Sequence, residues 1–337
     1  QDAKFALCCV NGTLAIAVAL QAAGVEAGDE VIVPPYTFIA TVSAPLLFGA
    51  VPVFCDIDAN TMMIDPDKVE PLITPRTKAI IAVHIAGAPA NMTRLKEIAA
   101  KHNLVLVEDA AQAVGAKWDG VGVGAIGDIG TFSLQASKNV NSGEGGVVVT
   151  NREDLKDAAW SVINVGRTPA GEWYEHALIG QNYRYTEFQA AIALAQMSRL
   201  QEQMARREAN ARLLDRLLGE IEGIRVLKHD PRTTVHAHHG YIFCLVPEKV
   251  PMDKNEFVRR VRAEGIPVMY GYLPLNRNEA IIRETSKRAG ELRVYPCPVN
   301  ERACDKEAVW LAQNVLLADE EAMHDIAAAV RKVLENA

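Results

Sequence analysis

The sequence predicts an α/β protein: a large domain built on a mostly parallel sheet, followed by a smaller α+β domain. Three observations predict it. In the first half, short runs rich in Val and Ile alternate with helical patterns. Those runs alternate little between apolar and polar, as strands covered on both faces do. The second half opens on a long charge-rich helical stretch and then mixes shorter strands with helices.

Taken in order, strands are expected at Phe5–Val10, Val31–Val33, Val51–Cys55, Ala79–Val83, Leu104–Val107, Thr131–Leu134 and Val147–Val149. Helical patterns fall between them at Thr13–Ala23, Ala40–Phe48 and Met92–His102. From Tyr185 to Gly219 the pattern reads as one long helix, whose apolar positions hold no heptad beyond a few turns, so it bridges domains rather than forming a coiled coil. A strand at Gly240–Val246 and helices at Asp253–Glu264 and Glu320–Glu335 complete the reading. The domains are expected to span 1–215 and 216–337.

Of 337 residues, 49% are apolar and 23% charged, the balance of a globular protein. A net charge of −7 gives no electrostatic reason to expect a nucleic-acid or anionic-membrane partner. No apolar run is long enough to span a bilayer, and no basic-then-apolar leader pattern opens the sequence. The six cysteines, Cys8, Cys9, Cys55, Cys244, Cys297 and Cys304, form no Cys-x-x-Cys pair, and most lie in apolar runs. They read as buried free thiols of a reducing compartment, with the cytoplasm the expected location.

Gly122-Val-Gly-Ala-Ile-Gly127 matches the G-x-G-x-x-G dinucleotide fingerprint. That fingerprint works only between a strand and a helix N-terminus, and here an apparent strand follows. It is read as a glycine-rich loop, and the nicotinamide oxidoreductase it would suggest is set aside. His236, His238 and His239 lack a nearby Cys or Glu at ligand spacing, so they read as a strand-edge cluster, one member of which borders a substrate pocket, and no metal is expected.

Three other features carry chemistry. Asn11-Gly12-Thr13 follows a strand and opens an apolar helix, where backbone N–H groups, the helix dipole and a hydroxyl converge on an anion or simply cap the helix. Glu108-Asp109 closes a very apolar strand, with Gln112 three residues beyond Asp109. Ligands gather at that end of open α/β sheets, and a carboxylate there is costly unless paired. Lys138 sits among small residues in FSLQASKNVNSGEGG, five residues after Ser133, where an amine either points into water beyond a buried strand or loses its charge more easily. An anion site, a buried carboxylate and an amine together meet the demands of pyridoxal 5′-phosphate (PLP).

With these features, PPYTFIAT (34–41), VEDAAQAVGA (107–116), GDIGTFSLQASKNVNSGEGG (127–146), GQNYRYTEFQAAIALAQ (180–196) and CPVNERACDKEAVWLAQNVLL (297–317) resemble the DegT/StrS-type sugar aminotransferases. The resemblance implies PLP-dependent fold type I. It implies that Lys138 is the Schiff-base lysine, that Asp109 partners the pyridinium nitrogen and that Gln112 lies beside the ring hydroxyl. Gly12, Thr13 and Ser133 stand at the phosphate cradle, and Phe38, with Tyr36 as the alternative, at the ring-stacking position. Asn182 is expected to reach the phosphate of a neighbouring subunit in a homodimer, and Arg184 to meet the amino donor's carboxylate. His84, Tyr36 and Asn276 are further candidates for substrate contact.

The activity implied is transfer of an amino group from glutamate or glutamine to a keto-sugar, nucleotide-linked in most relatives, or to a keto-cyclitol. The setting is amino-sugar biosynthesis for a polysaccharide or an antibiotic. A silent PLP-binding regulator and a PLP-dependent sugar dehydratase are the alternatives within the family; intact Lys138, Asp109 and Gln112 weigh against them. The family usually carries several dozen residues before the Gly-Thr cradle, whereas this sequence opens close to it. Ala86, Ala88 and Asn276 replace residue types common in relatives where the acceptor is read.

Overall fold

The computed structural model describes residues 1–336. Its first half contains β1 (Phe5–Cys9), α1 (Gly12–Ala22), β2 (Glu30–Val33), α2 (Ala40–Leu47), β3 (Val51–Phe54), β4 (Thr77–Val83), α3 (Met92–His102) and β5 (Val105–Asp109). A small hairpin, β6 (Lys117–Trp118) and β7 (Val121–Gly122), leads to β8 (Ile129–Ser133), β9 (Gly146–Thr150) and α4 (Glu153–Ile163). The main sheet has seven strands in the order β1-β9-β8-β5-β4-β2-β3. Strands β3, β2, β4, β5 and β8 run parallel, and β9 is antiparallel to both its neighbours.

This is the mostly parallel sheet the Val/Ile runs predict. Strands β2 and β3 are buried at every position, as a sheet covered on both faces requires. Edge strand β1 departs from that expectation: its burial alternates, so Cys8 is exposed while the other five cysteines are buried. All six are free thiols.

Helix α1 is apolar along nearly its whole length and is buried from Ala15 to Leu20. It packs against α2, α4, β8 and β9, which leaves it no solvent face. Asn11 caps it by accepting the Leu14 amide at 2.9 Å. Its first residue must be glycine, because a Cβ on Gly12 would lie 2.7 Å from the Ser133 Cβ. That close approach brings the helix N-terminus onto the end of β8.

The expected long helix is broken. Thr186 starts α5 (Glu187–Met197) with a capping box to Gln189, and α6 (Leu200–Gly219) follows after Ser198 and Arg199. The Ser198 hydroxyl donates to the Ala195 carbonyl at 2.8 Å, and the Arg199 amide bonds the Gln196 carbonyl three residues back. Local bonding of this kind competes with the helical ladder and ends α5 there.

After α6 come β10 (Ile224–Val226), β11 (Thr233–Val235), β12 (Gly240–Leu245), α7 (Lys254–Ala263), α8 (Glu279–Ala289), α9 (Pro298–Arg302), β13 (Ala308–Ala312) and α10 (Glu320–Glu335). An antiparallel sheet, β10-β12-β13, carries a second apolar core that includes Leu214, Phe243, Phe257, Val261, Leu311 and Met323. Strand β11 pairs instead with β6, tying residues after α6 to the hairpin of the first half. A second tie is the Trp310 indole N–H of β13, which donates to the Tyr36 hydroxyl at 2.7 Å.

Candidate active site

The parallel strands end on one side of the main sheet, and the turns after β1, β2, β5 and β8 converge there. They enclose a cavity of about 570 Å³ whose walls include Gly12, Thr13, Phe38, Asp109, Gln112, Ser133, Lys138, His239 and Tyr272. The seven motif residues among these come from four widely separated segments, and the fold brings them to one place.

At one end lies the N-terminus of α1. The Leu14 amide goes to Asn11 Oδ1 and the Ala15 amide to the Asn11 carbonyl, so those of Gly12 and Thr13 keep no intrahelical acceptor. Together with the Thr13 and Ser133 hydroxyls they make a small anion cradle at the positive end of a helix dipole.

Asp109 and Glu108 end β5, and strand alternation sends their side chains to opposite faces. Asp109 faces the cavity, where its Oδ2 accepts the Thr41 hydroxyl at 2.7 Å and its Oδ1 the Ala111 amide at 3.2 Å. The Thr41 hydroxyl is in turn 2.8 Å from that of Thr37. Glu108 points away and is wholly buried. Its carboxylate accepts the amides of Gly124 at 2.7 Å, Ile126 at 2.8 Å and Gly127 at 2.6 Å. The G-x-G-x-x-G loop is therefore an anion nest, and the anion is the protein's own glutamate.

Lys138 lies half-buried on the turn after β8, and burial lowers the pKa of its amine; the charge of Asp109 opposes this in part. A lysine so placed gives up its proton more easily than an exposed one, as a nucleophilic amine must. Gln112 is held at both ends: its Oε1 accepts the Ala86 amide at 2.7 Å, and its Nε2 donates to the Tyr272 hydroxyl at 2.8 Å. Burial pushes the Tyr272 phenol up to about 12, so it stays a neutral O–H.

The remaining candidates lie elsewhere. Phe38 is on the cavity wall and largely exposed, whereas Tyr36 is buried off the cavity with its hydroxyl committed to Trp310. His84 is fully buried away from the cavity: Nδ1 accepts the Ala90 amide at 3.0 Å, so Nε2 carries the proton and donates to Glu108 at 2.9 Å. Asn276 is also buried, bonded to the Tyr295 carbonyl, Glu301 and Asn300. None of His84, Tyr36 and Asn276 lines the cavity of Lys138. Asn182 and Arg184 are exposed and do not line this chain's cavity.

The histidine cluster divides. His236 and His238 stack at 3.8 Å beside a separate cavity of about 470 Å³, and His238 Nε2 meets Glu208 at 2.6 Å. His239 lines the cavity of Lys138. Among the described residues no group of three or more His, Cys, Asp or Glu is arranged to hold a metal, and no helix is long and apolar enough to cross a membrane.

Sequence reasoning missed Thr41 and Tyr272 as site residues. Thr41 ends the motif PPYTFIAT, and its position in α2, one turn beyond Thr37, was the available signal. Tyr272 carried none, because its partner Gln112 is distant in sequence. Ala86, expected where the acceptor is read, instead bonds Gln112 through its amide.

A model of the DegT/DnrJ/EryC1/StrS aminotransferase family matches residues 1–331. The chain is 40% identical to an L-glutamine:2-deoxy-scyllo-inosose aminotransferase of Streptomyces kanamyceticus, covering 97% of this chain and 81% of that one. It is 38% identical to a protein of Micromonospora echinospora described as a putative L-glutamine:3-amino-2,3-dideoxy-scyllo-inosose aminotransferase, covering 99% and 83%. Among solved structures it resembles 3-amino-5-hydroxybenzoic acid synthase, with a TM-score of 0.89 and 35% identity over 99% of this chain and 88% of that one. An aminotransferase from Psychrobacter cryohalolentis gives a TM-score of 0.91 at 32% identity, over the same shares.

Proposed function

The chain belongs to the DegT/DnrJ/EryC1/StrS aminotransferase family and is a PLP-dependent aminotransferase of the sugar and cyclitol type, and from that premise we propose that it moves the amino group of glutamine to a keto-cyclitol. One observation carries the reading of the site: the half-buried amine of Lys138 shares one cavity with Asp109 and the open amides of α1. The residues fit the cofactor. Gly12, Thr13 and Ser133 would take its phosphate, Asp109 its ring nitrogen and Lys138 its aldehyde. When bound, it supplies an electron sink for the carbon that gains or loses the amino group.

Thr41 and the Ala111 amide hold the Asp109 carboxylate in place, and a carboxylate there keeps the ring nitrogen protonated. Lys138, on the wall of the same cavity, would hold the cofactor's aldehyde and would be the amine that moves a proton at the reacting carbon. Gln112, clamped by Ala86 and Tyr272, would lie beside the ring hydroxyl.

Support for a cyclitol comes from charge. A further cavity of about 510 Å³ adjoins this one, sharing Gln112, Ser137, His239 and Tyr272, and continues past Met269, Trp310, Gln313 and Asn314. Among the described residues lining either cavity, Lys138 is the single cation. A nucleotide-linked sugar would need a partner for its diphosphate, which this chain's own walls do not supply; a neutral polyol ring needs none. The names of the relatives support glutamine as donor and an inosose as acceptor. We further place Asn182 and Arg184 at the mouth of a neighbouring copy's site in a homodimer, supported by their exposure beside exposed Ile179 and Phe188.

The test is a visible spectrum of the holoenzyme. Glutamine should bleach the cofactor's lysine-bound band faster than glutamate does, and a keto-cyclitol should restore it. A band unchanged by either donor, or restored only by nucleotide-linked keto-sugars, refutes the proposal. Sedimentation of the holoenzyme reads the dimer.

A further inference from the structure

His239 stands where the two adjoining cavities meet, since it lines both. It immediately precedes β12, whose Gly240 lies opposite Ala312, and the chain after Ala312 supplies Gln313 and Asn314 to the same wall. The hydrogen bonds of its neighbour fix its protonation. Asn139, adjacent to Lys138, is buried, and its Nδ2 donates to the Ala237 carbonyl at 2.7 Å. A carbonyl only accepts, so the amide cannot be turned the other way round. Asn139 Oδ1 therefore faces His239 Nδ1 at 3.2 Å as an acceptor, and Nδ1 must carry the proton.

Nε2 is then the bare, lone-pair nitrogen, and none of the described residues bonds it. A second proton is disfavoured, because burial, then the positive charges of Lys138 and Arg207, hold the ring at about 3. The wall thus presents a neutral acceptor where the two cavities meet. A ketone oxygen, a carboxylate or a phosphate has nothing to give it. An O–H does.

We infer that His239 Nε2 accepts a hydrogen bond from a hydroxyl next to the reacting carbonyl of the acceptor, and so selects hydroxylated ketones over deoxygenated ones. The inference rests on the aminotransferase reading above and names the feature of the acceptor that the site recognises. His239 is a specificity residue in this scheme, and Asn139 positions it by fixing its tautomer.

The experiment pairs a change in the enzyme with a change in the substrate. Holoenzyme charged with glutamine is given a keto-cyclitol with a hydroxyl beside the carbonyl, and then its counterpart lacking that hydroxyl. The native enzyme should favour the hydroxylated ketone by about tenfold in kcat/KM, the worth of one neutral hydrogen bond in a dry site. His239→Ala should lose most of that preference, because the group that reads the hydroxyl is gone. His239→Gln, whose side-chain oxygen can stand near Nε2, should recover part of it.

A preference that persists undiminished in both variants overturns the inference, even where overall rates fall. An absent preference in the native enzyme overturns it as well. Failure of glutamine to bleach the native holoenzyme is a different result, since it removes the aminotransferase reading on which the inference stands.

Discussion

Two glycine-containing turns of the first half handle negative charge in opposite ways. The loop from Gly122 to Gly127 spends three amides on Glu108, a carboxylate supplied by the chain itself. The turn Asn11-Gly12-Thr13 leaves the first two amides of α1 without intrahelical acceptors, at the wall of the cavity. The adjacent acids of β5 divide in the same way: Glu108 is spent on structure, whereas Asp109 faces the cavity. A glycine pattern therefore reports that backbone amides are gathered. Whether they bind a cofactor depends on whether a side chain already fills them.

The largest effect separates the cavity from everything around it. Lys138→Met should abolish amino transfer, by at least about a thousandfold, and should lack the lysine-bound cofactor band. Without cofactor, the same variant should be more stable than the native chain at neutral pH. Burial lowers the folded-state pKa of Lys138 below its ordinary 10.5, so the unfolded chain binds that proton more tightly. The stability deficit of the native chain should shrink as pH rises from the lowered pKa toward 10.5, which denaturant titrations across pH will show.

Next come the two acids. Asp109→Asn should cut kcat by about a hundredfold or more with little change in melting temperature, since a neutral amide no longer holds the ring nitrogen protonated. Glu108→Ala should do the reverse. It strands the buried Gly124 amide, the partly buried amides of Ile126 and Gly127, and the His84 N–H, at a cost on the order of 3 kcal/mol, read by chemical denaturation. If Glu108→Ala kept full stability and lost cofactor binding, the contrast between the two acids would collapse.

A smaller effect tests the open turn. Gly12→Ala forces a methyl against Ser133 and should weaken cofactor affinity by about tenfold or more, measured by titrating PLP into stripped protein. Smallest is Thr41→Val, which removes one hydrogen bond from Asp109. It should cost about 1 kcal/mol, a few-fold in kcat/KM.

The parallel sheet, the cradle and the lysine were legible because each is written locally. Val/Ile runs announce buried strands, a cap before an apolar run announces a helix N-terminus, and a lysine among small residues stands out. Phe38, Asp109, Gln112 and Ser133 reached the same cavity through their motifs. Side chains whose meaning depends on distant partners were not legible. His84 looks like a wall residue from its strand-end position, yet Glu108 and the Ala90 amide consume both its nitrogens. Tyr36 and Asn276 are likewise held by groups far along the chain, at Trp310 and Glu301 among others. The break at Ser198 was hidden because serine is tolerated in many helices and interrupts this one through its own hydroxyl.

The pairing of β11 with β6 bears on how the protein can be re-engineered. A chain that left the main sheet once and never returned could have its C-terminal part exchanged like a cassette. Here Thr233–Val235 is sewn back onto Lys117–Trp118 before the second antiparallel sheet is completed. A graft beginning at β10 brings its own stitch and must match a foreign hairpin. A graft beginning at β12 keeps the native stitch but carries the donor's wall at Gln313 and Asn314. The second seam leaves His239 in place and exchanges the rest of that wall without disturbing the stitch.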